Sequence, residues 1–295
     1  MIAIIVIAVI VVVYFGLAIY GAKETMEIER LPLTVAASST GLKYEDVSFK
    51  SRDESVVMKG WHFPGGGDSV IVIVHGGYQN RVDDNVNTLG LTVALVDEGY
   101  SVLLFDQRGR GESENKGLAL SYIDQDIGGA VDFLKDNGYP LKKICLMGFC
   151  SGAVSSCIYA SRNDIGTLIL DGCLIDIPTM VVRQAAAAGP PELLARLFIP
   201  GLHLMTKIFY GYELINPIDV VGEINCPVLF IHEENDEFIK EDEIKRLFEA
   251  STNPASEMWE ISNVEHSRAF QEYPEEYVTR IDCFIKKNAK DYSVG

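Results

Sequence analysis

Basic residues are scarce in this chain: 25 Lys and Arg stand against 42 Asp and Glu, a formal net charge of −17 over 295 residues. So acidic a surface repels polyanions, which argues against nucleic acid as a partner and against adhesion to anionic lipid through surface charge. Its plainest consequence is solubility. Paired cysteine is missing as well. Cys145, Cys150, Cys157, Cys173, Cys226 and Cys283 lack the close spacing of a metal site and the density of a disulfide framework, so most read as core residues. None of the five His residues stands in an HExxH metal pattern, and no internal repeat is visible. Gly109-Arg110-Gly111 follows a strand-like run as a dinucleotide fingerprint would, but Glu114 stands where a third glycine is needed. No cofactor is implied.

Charge is also absent from Met1 to Ala22. As a helix this stretch would span roughly 33 Å, enough for a bilayer core of about 30 Å. Residues 1–22 therefore read as a transmembrane anchor, which makes the membrane a partner. The rival is a cleaved signal peptide. Against it, no Lys or Arg precedes the apolar stretch, the stretch is long, and its small-residue exit, Tyr20-Gly21-Ala22, is imperfect. Lys23 and Arg30 flank the C-terminal side, which favours a cytoplasmic domain under the positive-inside rule. Residues 23–40 read as a linker.

Hydrophobic residues make up 48% of the chain, enough for one large core, so residues 41–295 read as a single catalytic domain. Tyr44 to Phe63 is β-rich, with Gly65-Gly66-Gly67 as a turn. Buried-strand runs follow at 69–74, 101–105, 144–147, 167–171, 227–232 and 258–261. Helical patterns at 85–98, 124–136, 151–160, 241–249 and 274–287 alternate with them. This alternation predicts an α/β fold with a mostly parallel central sheet flanked by helices. Between about 174 and 219 the periodicity gives way to an insert holding Ala185-Ala186-Ala187-Ala188-Gly189-Pro190-Pro191 and Leu197-Phe198-Ile199-Pro200-Gly201. It reads as a helical cap over the active site. An amphipathic face resting on the membrane is the alternative, disfavoured because its charges are few and not basic-rich.

Directly after Ile144-Cys145-Leu146-Met147 comes Gly148-Phe149-Cys150-Ser151-Gly152, the pattern of a nucleophile elbow with Cys150 at its apex. A strand that turns at once into a helix holds its central residue in a strained conformation and leaves no room for side chains two positions either side. The Ser151 N–H, opening the next helix, can then donate to an oxyanion. Alone, the pattern fits an inert buried cysteine about as well. Partners follow in the order that acyl transfer needs. Pro227 to His232 leads into Glu233-Glu234-Asn235-Asp236, where Asp236 is the candidate acid; Met258 to Ile261 leads into Ser262-Asn263-Val264-Glu265-His266, where His266 is the candidate base. Upstream, the 69–74 strand runs into His75-Gly76-Gly77-Tyr78, whose Gly77 is the second candidate oxyanion donor.

The strand at 101–105 ends in Asp106-Gln107-Arg108-Gly109-Arg110-Gly111-Glu112-Ser113. An HG-rich loop, an F-D-x-R-G-x-G-x-S segment, the elbow, an I-H-x-x-x-D loop and a late His, in this order over about residues 43 to 289, resemble the α/β-hydrolase superfamily. Within it the chain looks like the serine aminopeptidase and prolyl-oligopeptidase-like branch of bacteria. The resemblance implies an α/β-hydrolase fold and a Cys150-His266-Asp236 triad, with Asp106 and Arg108 in a structural ion pair. Two positions depart from the branch, which has Ser at position 150 and Gly at position 233. The cysteine elbow itself looks like that of dienelactone hydrolases, while Glu233 adds a charge near the triad.

The expected function is hydrolysis of a carboxylic ester, lactone or thioester bond in a small-molecule acyl substrate, through a covalent acyl-enzyme. Peptides are disfavoured, because a tetrahedral intermediate with a poor leaving amine expels sulfur instead. The alternative is a catalytically silent, membrane-tethered protein of the same fold that binds without turnover. Ser151 sits one residue past the apex and should point into the helix. His75 and His232 read as packing neighbours, and His62 and His203 have no partner pattern. Phe198, Phe209 and Tyr210 suggest an apolar acyl pocket, though at helical spacing they suit a core.

Overall fold

The computed structural model describes residues 1–27, 29–115, 123–187, 189 and 191–290. Eight strands form one sheet: β1 (Glu45–Lys50), β2 (Val57–Phe63), β3 (Val70–Val74), β4 (Ser101–Phe105), β5 (Ile144–Phe149), β6 (Thr167–Asp171), β7 (Val228–Glu233) and β8 (Glu257–Ile261). Their order is β1-β2-β4-β3-β5-β6-β7-β8. β2 runs antiparallel to both neighbours, and β3 to β8 run parallel. Every residue of β3, β4, β5, β6 and β7 is buried. That is why these runs are continuously apolar rather than alternating: helices cover both faces of a parallel sheet.

The helices are α1 (Ile2–Met26), α2 (Thr88–Asp97), α3 (Ile123–Asp136), α4 (Ser151–Arg162), α5 (Ile177–Ala187), α6 (Glu192–Tyr210), α7 (Pro217–Val220), α8 (Glu241–Ala250), α9 (Ala269–Glu272) and α10 (Pro274–Lys290). The period of two along each strand sorts side chains into two cores. Val70, Val72, Val74, Leu146 and Phe230 pack with α3, α4 and α8 on one face, and Ile71, Ile73, Met147 and Ile231 pack with α2 and α10 on the other. The carboxyl ends of β3, β5 and β7 thus converge on one edge, where an open α/β sheet places its ligands.

The segment 23–40 is not uniformly a linker. α1 continues through it to Met26, and Ala37–Thr40 form a 3-10 turn. Nor is α1 detached from the rest of the chain. Ala18 and Ala22 pack with Met205 of α6, flanked by Phe198, Leu202 and Tyr210. Pro200 removes an N–H inside α6. Beside it, the Tyr14 hydroxyl enters the helix ladder, accepting from Gly201 N at 2.9 Å and donating to the Leu197 carbonyl at 3.1 Å. Ala188 and Pro190 of the insert lie outside the described residues.

Candidate active site

Cys150 caps α4 with φ 53° and ψ −119°, a strained conformation for a residue with a side chain. The flanking glycines explain how it is tolerated. A Cβ on Gly148 would stand 2.5 Å from the Gly152 carbonyl oxygen, and one on Gly152 would stand 2.2 Å from that of Val74. The turn is pinned from β6, where the Asp171 carbonyl accepts from Cys150 N at 2.9 Å. Cys150 itself is partly exposed, whereas Cys145, Cys157, Cys173 and Cys226 are buried and Cys283 is exposed.

The loop after β3 lies against this turn. A Cβ on Gly76 would be 3.6 Å from Cys150 Cβ, and one on Gly77 would be 2.9 Å from Ser151 Oγ. Three contacts hold that loop from the segment after β4. Arg110 Nε donates to the Gly77 carbonyl at 2.7 Å, Gln107 Nε2 donates to the His75 carbonyl at 2.7 Å, and Gln107 N donates to His75 Nε2 at 3.1 Å. Burial pushes His75 down to about 3, so it stays a neutral strut.

His266 and Asp236 meet across two loops, with His266 Nδ1 2.6 Å from Asp236 Oδ2. Asp236 is completely buried, and its other oxygen accepts from Phe238 N at 2.7 Å and Ile239 N at 3.0 Å. The Phe238 ring stands edge-on to the imidazole at 4.8 Å. A Cβ on Gly172 would come within 2.7 Å of His266 Cε1, so the chain after β6 is shaped to admit the ring. Burial works against the charged imidazole, but the Asp236 hydrogen bond and the Cys150 sulfur outweigh it and raise His266 to about 11. Cys150, His266 and Asp236, drawn from three loops, thus lie together. Ser151 and Gly77 adjoin them.

Other expectations change. Asp106 and Arg108 do not pair with each other: Asp106 pairs with Arg81 at 2.7 Å, and Arg108 pairs with Asp126 at 2.7 Å. The sharp turn at Gly111, φ 42°, folds the chain back so that the Glu112 N–H donates to Asp106 at 2.8 Å. Arg81 stacks 4.1 Å above the Trp61 ring. Glu233 is not an exposed charge at the rim of the site. It is fully buried, and burial together with the Asp171 carboxylate raises it well above the usual carboxylate range. Asp171 and Tyr277 were not anticipated; the Tyr277 hydroxyl donates to Asp171 at 2.5 Å. A carboxylate closing an otherwise apolar strand was the one available signal. Phe198 faces Gly21 of α1, Tyr210 reaches Glu27, and Phe209 is exposed. The His62 ring nitrogen lies 3.3 Å from the Tyr139 hydroxyl.

A cavity of about 420 Å³ opens beside Ser151, walled by Val154, Ile158, Leu174, Ile177, Tyr212 and Ile215. At its other end Arg162 and Asp124 face each other at 3.6 Å. Along α4 that is roughly 16 Å from Ser151. Among the described residues no cluster of His, Cys, Asp and Glu could hold a metal ion.

A family model described as Hydrolase_4, serine aminopeptidase S33, matches residues 67–210. The chain is 27% identical over 238 residues to the uncharacterized protein YqkD of Bacillus subtilis (strain 168), covering 77% of this chain and 75% of that protein. It is 26% identical over 195 residues to the lysophosphatidylserine lipase ABHD12 of Danio rerio, 63% of this chain but only 48% of the lipase. Among solved structures, the Pyrococcus furiosus esterase Pf2001 superposes with a TM-score of 0.73 at 27% identity, covering 88% of this chain and 97% of the esterase. With the sheet order and the turn at the head of α4, these likenesses give the chain an α/β-hydrolase fold and support its place in that superfamily.

Proposed function

We propose that this protein hydrolyses carboxylic ester, lactone or thioester bonds through Cys150, His266 and Asp236, with α1 anchoring it in a membrane and the catalytic domain on the cytoplasmic side. The observation that carries the reading is the strained Cys150 at the head of α4 beside a His266 whose other nitrogen is bonded to buried Asp236. The likeness to the Pyrococcus furiosus esterase and to the Danio rerio lipase supports the bond class.

His266 takes the Cys150 proton, and the resulting imidazolium is stabilised by Asp236 and by the sulfur's negative charge. The thiolate adds to the acyl carbon, and N–H groups of Ser151 and Gly77 stabilise the oxyanion. As the intermediate collapses, the carbon–oxygen or carbon–sulfur bond breaks and the leaving group takes the proton from His266. Sulfur is then neutral in an acyl thioester, so one cause of the high His266 pKa is gone. The ring can now deprotonate a water, which attacks the thioester and restores the thiol. An amine leaves less readily than a thiolate, so peptides should be poor substrates.

The anchor reading rests on α1, which carries no charged side chain up to Ala22, reaches a mean hydropathy of 3.2 in its apolar stretch, and buries only Ala18, Ala22 and Met26. The Tyr14 hydroxyl completes the hydrogen bonding of α6, a use for α1 that a cleaved leader would not have. Lys23 and Arg30 support the orientation.

The test uses the full chain in detergent, because α1 packs on the cap, with a panel of nitrophenyl esters, acyl thioesters and matched anilides. Turnover of esters that falls at least about 10³-fold in Cys150→Ala supports the triad. An inactive parent that gains activity as Cys150→Ser would show a hydrolase fold silenced by its own thiol. Anilides cleaved faster than esters of the same acyl group would overturn the bond class.

A further inference from the structure

α6 has three distinct sides. Ala195, Gly201, Met205 and Thr206 are buried against the protein. Glu192, Arg196, His203 and Lys207, spaced i, i+4, i+11 and i+15, form one polar stripe. Leu193, Leu197, Leu204 and Ile208 repeat that spacing one residue on, about 100° around the axis. They are 69%, 59%, 45% and 60% exposed. A continuous stripe of large aliphatic side chains left in water is costly, and it marks a surface made for an apolar partner.

The occupant follows from what α6 is joined to. α1 and α6 run side by side in the same direction: Tyr14 meets Leu197 and Gly201, Gly21 meets Phe198 and Leu202, and Glu27 meets Tyr210. A bilayer entered by α1 must therefore be met by the flank of α6 beside it. The chemistry of the two stripes matches that position. Four aliphatic residues suit acyl chains, while the polar stripe, with Arg196 bonded to Glu192 at 2.7 Å, lies around the axis from them. The stripe needs no anionic lipid, in keeping with a chain of net charge −17.

A second hollow adjoins the same place. A small apolar hollow of about 70 Å³ lies where α1 ends, walled by Met26, Pro178, Val181, Leu202, Leu214 and Tyr212. Tyr212 is also a wall of the 420 Å³ cavity beside Ser151. Tyr212 is thus shared by the hollow at the α1–α6 junction and the cavity that opens beside Ser151.

We propose that α6 lies in the same leaflet as α1 with its Leu193-Leu197-Leu204-Ile208 stripe against lipid acyl chains, and that the substrate is a long-chain acyl ester drawn from that leaflet past Tyr212 to Cys150. The substrate half rests on the ester-hydrolase reading above, and the seating of α6 rests on the membrane-anchor reading alone.

Two readouts on the full chain in phosphatidylcholine vesicles separate them. In Leu204→Trp, lipids brominated in their acyl chains should cut the added emission by about half or more, against a parent containing only Trp61 and Trp259. Emission that brominated lipid leaves unchanged overturns the seating, and a doubled mass at the same time assigns the stripe to a second copy. In the double variant Leu197→Asp, Ile208→Asp, hydrolysis of a vesicle-embedded long-chain ester should fall at least about tenfold, while a water-soluble short-chain ester stays within about twofold. Equal rates on the embedded ester before and after substitution overturn the lipid route. A parent that hydrolyses neither ester overturns the function, and with it the substrate, while the quenching still decides the seating.

Discussion

Glu233 and Asp171 carry no signal in sequence beyond being acidic, yet both carboxyls are buried. Among the described residues Glu233 Oε1 and Oε2 and Asp171 Oδ1 have no hydrogen-bond donor, so a proton on either carboxyl is the donor available to the other. Burial first, and then the mutual repulsion, raises Glu233 well above its usual range, while burial raises Asp171 to about 6. Both folded-state values lie above the unfolded ones. The pair's contribution to stability is therefore full below about pH 4 and is lost as pH rises through the folded titration, near 6 for Asp171. Glu233→Gln removes one of the titrating protons and leaves an amide that can donate to Asp171. We expect the drop in Tm between about pH 5 and pH 9 to shrink by a few degrees in this variant. Superimposable curves of Tm against pH for the two proteins would show that no proton is held there. By contrast Asp236 and His266 were legible as residue types, because acid and base each follow a recognisable strand; their 2.6 Å approach depends on two loops about thirty residues apart in sequence.

The turn between β5 and α4 is the element read most fully in advance, because its constraint is local. Two glycines flank one apex residue, and the backbone oxygens they avoid belong to the turn itself and to the neighbouring β3. Gly152→Ala would force a Cβ to within 2.2 Å of the Val74 carbonyl oxygen, which the central sheet cannot move to relieve. A loss of roughly 3 kcal/mol or more follows, read as a lower thermal midpoint of the full chain, with activity lost in parallel. A variant as stable as the parent would mean that β3 and α4 can separate. The α6 element is the opposite case. Its hydropathy and its Pro200 are in the sequence, but the pairing of Tyr14 with Gly201 spans 187 positions and leaves no periodic trace. For the same reason Asp106 and Arg108, two residues apart, read as partners of one another. Their side chains instead diverge, to Arg81 and to Asp126.

At the scale of the whole molecule, a strongly acidic domain is joined to a helix that carries no charged side chain up to Ala22. Electrostatics oppose contact with an anionic surface, so the membrane attachment proposed above has to come from apolar burial. Raising salt to about 0.5 M should leave the full chain in the membrane fraction, since screening weakens only charge attraction. Release by salt would point to a basic contact that the composition does not contain. The alternation of strand and helix, the elbow, the ordered acid and base, and the uncharged N-terminus were all determined by the sequence itself, because each is written in neighbouring residues or in a short period. Tertiary structure alone decided which carboxyls are buried, which arginine each aspartate holds, and that α6 leans on α1. Those outcomes depend on burial and on contacts between segments far apart in the chain, and no local pattern encodes a desolvation cost or a long-range partner.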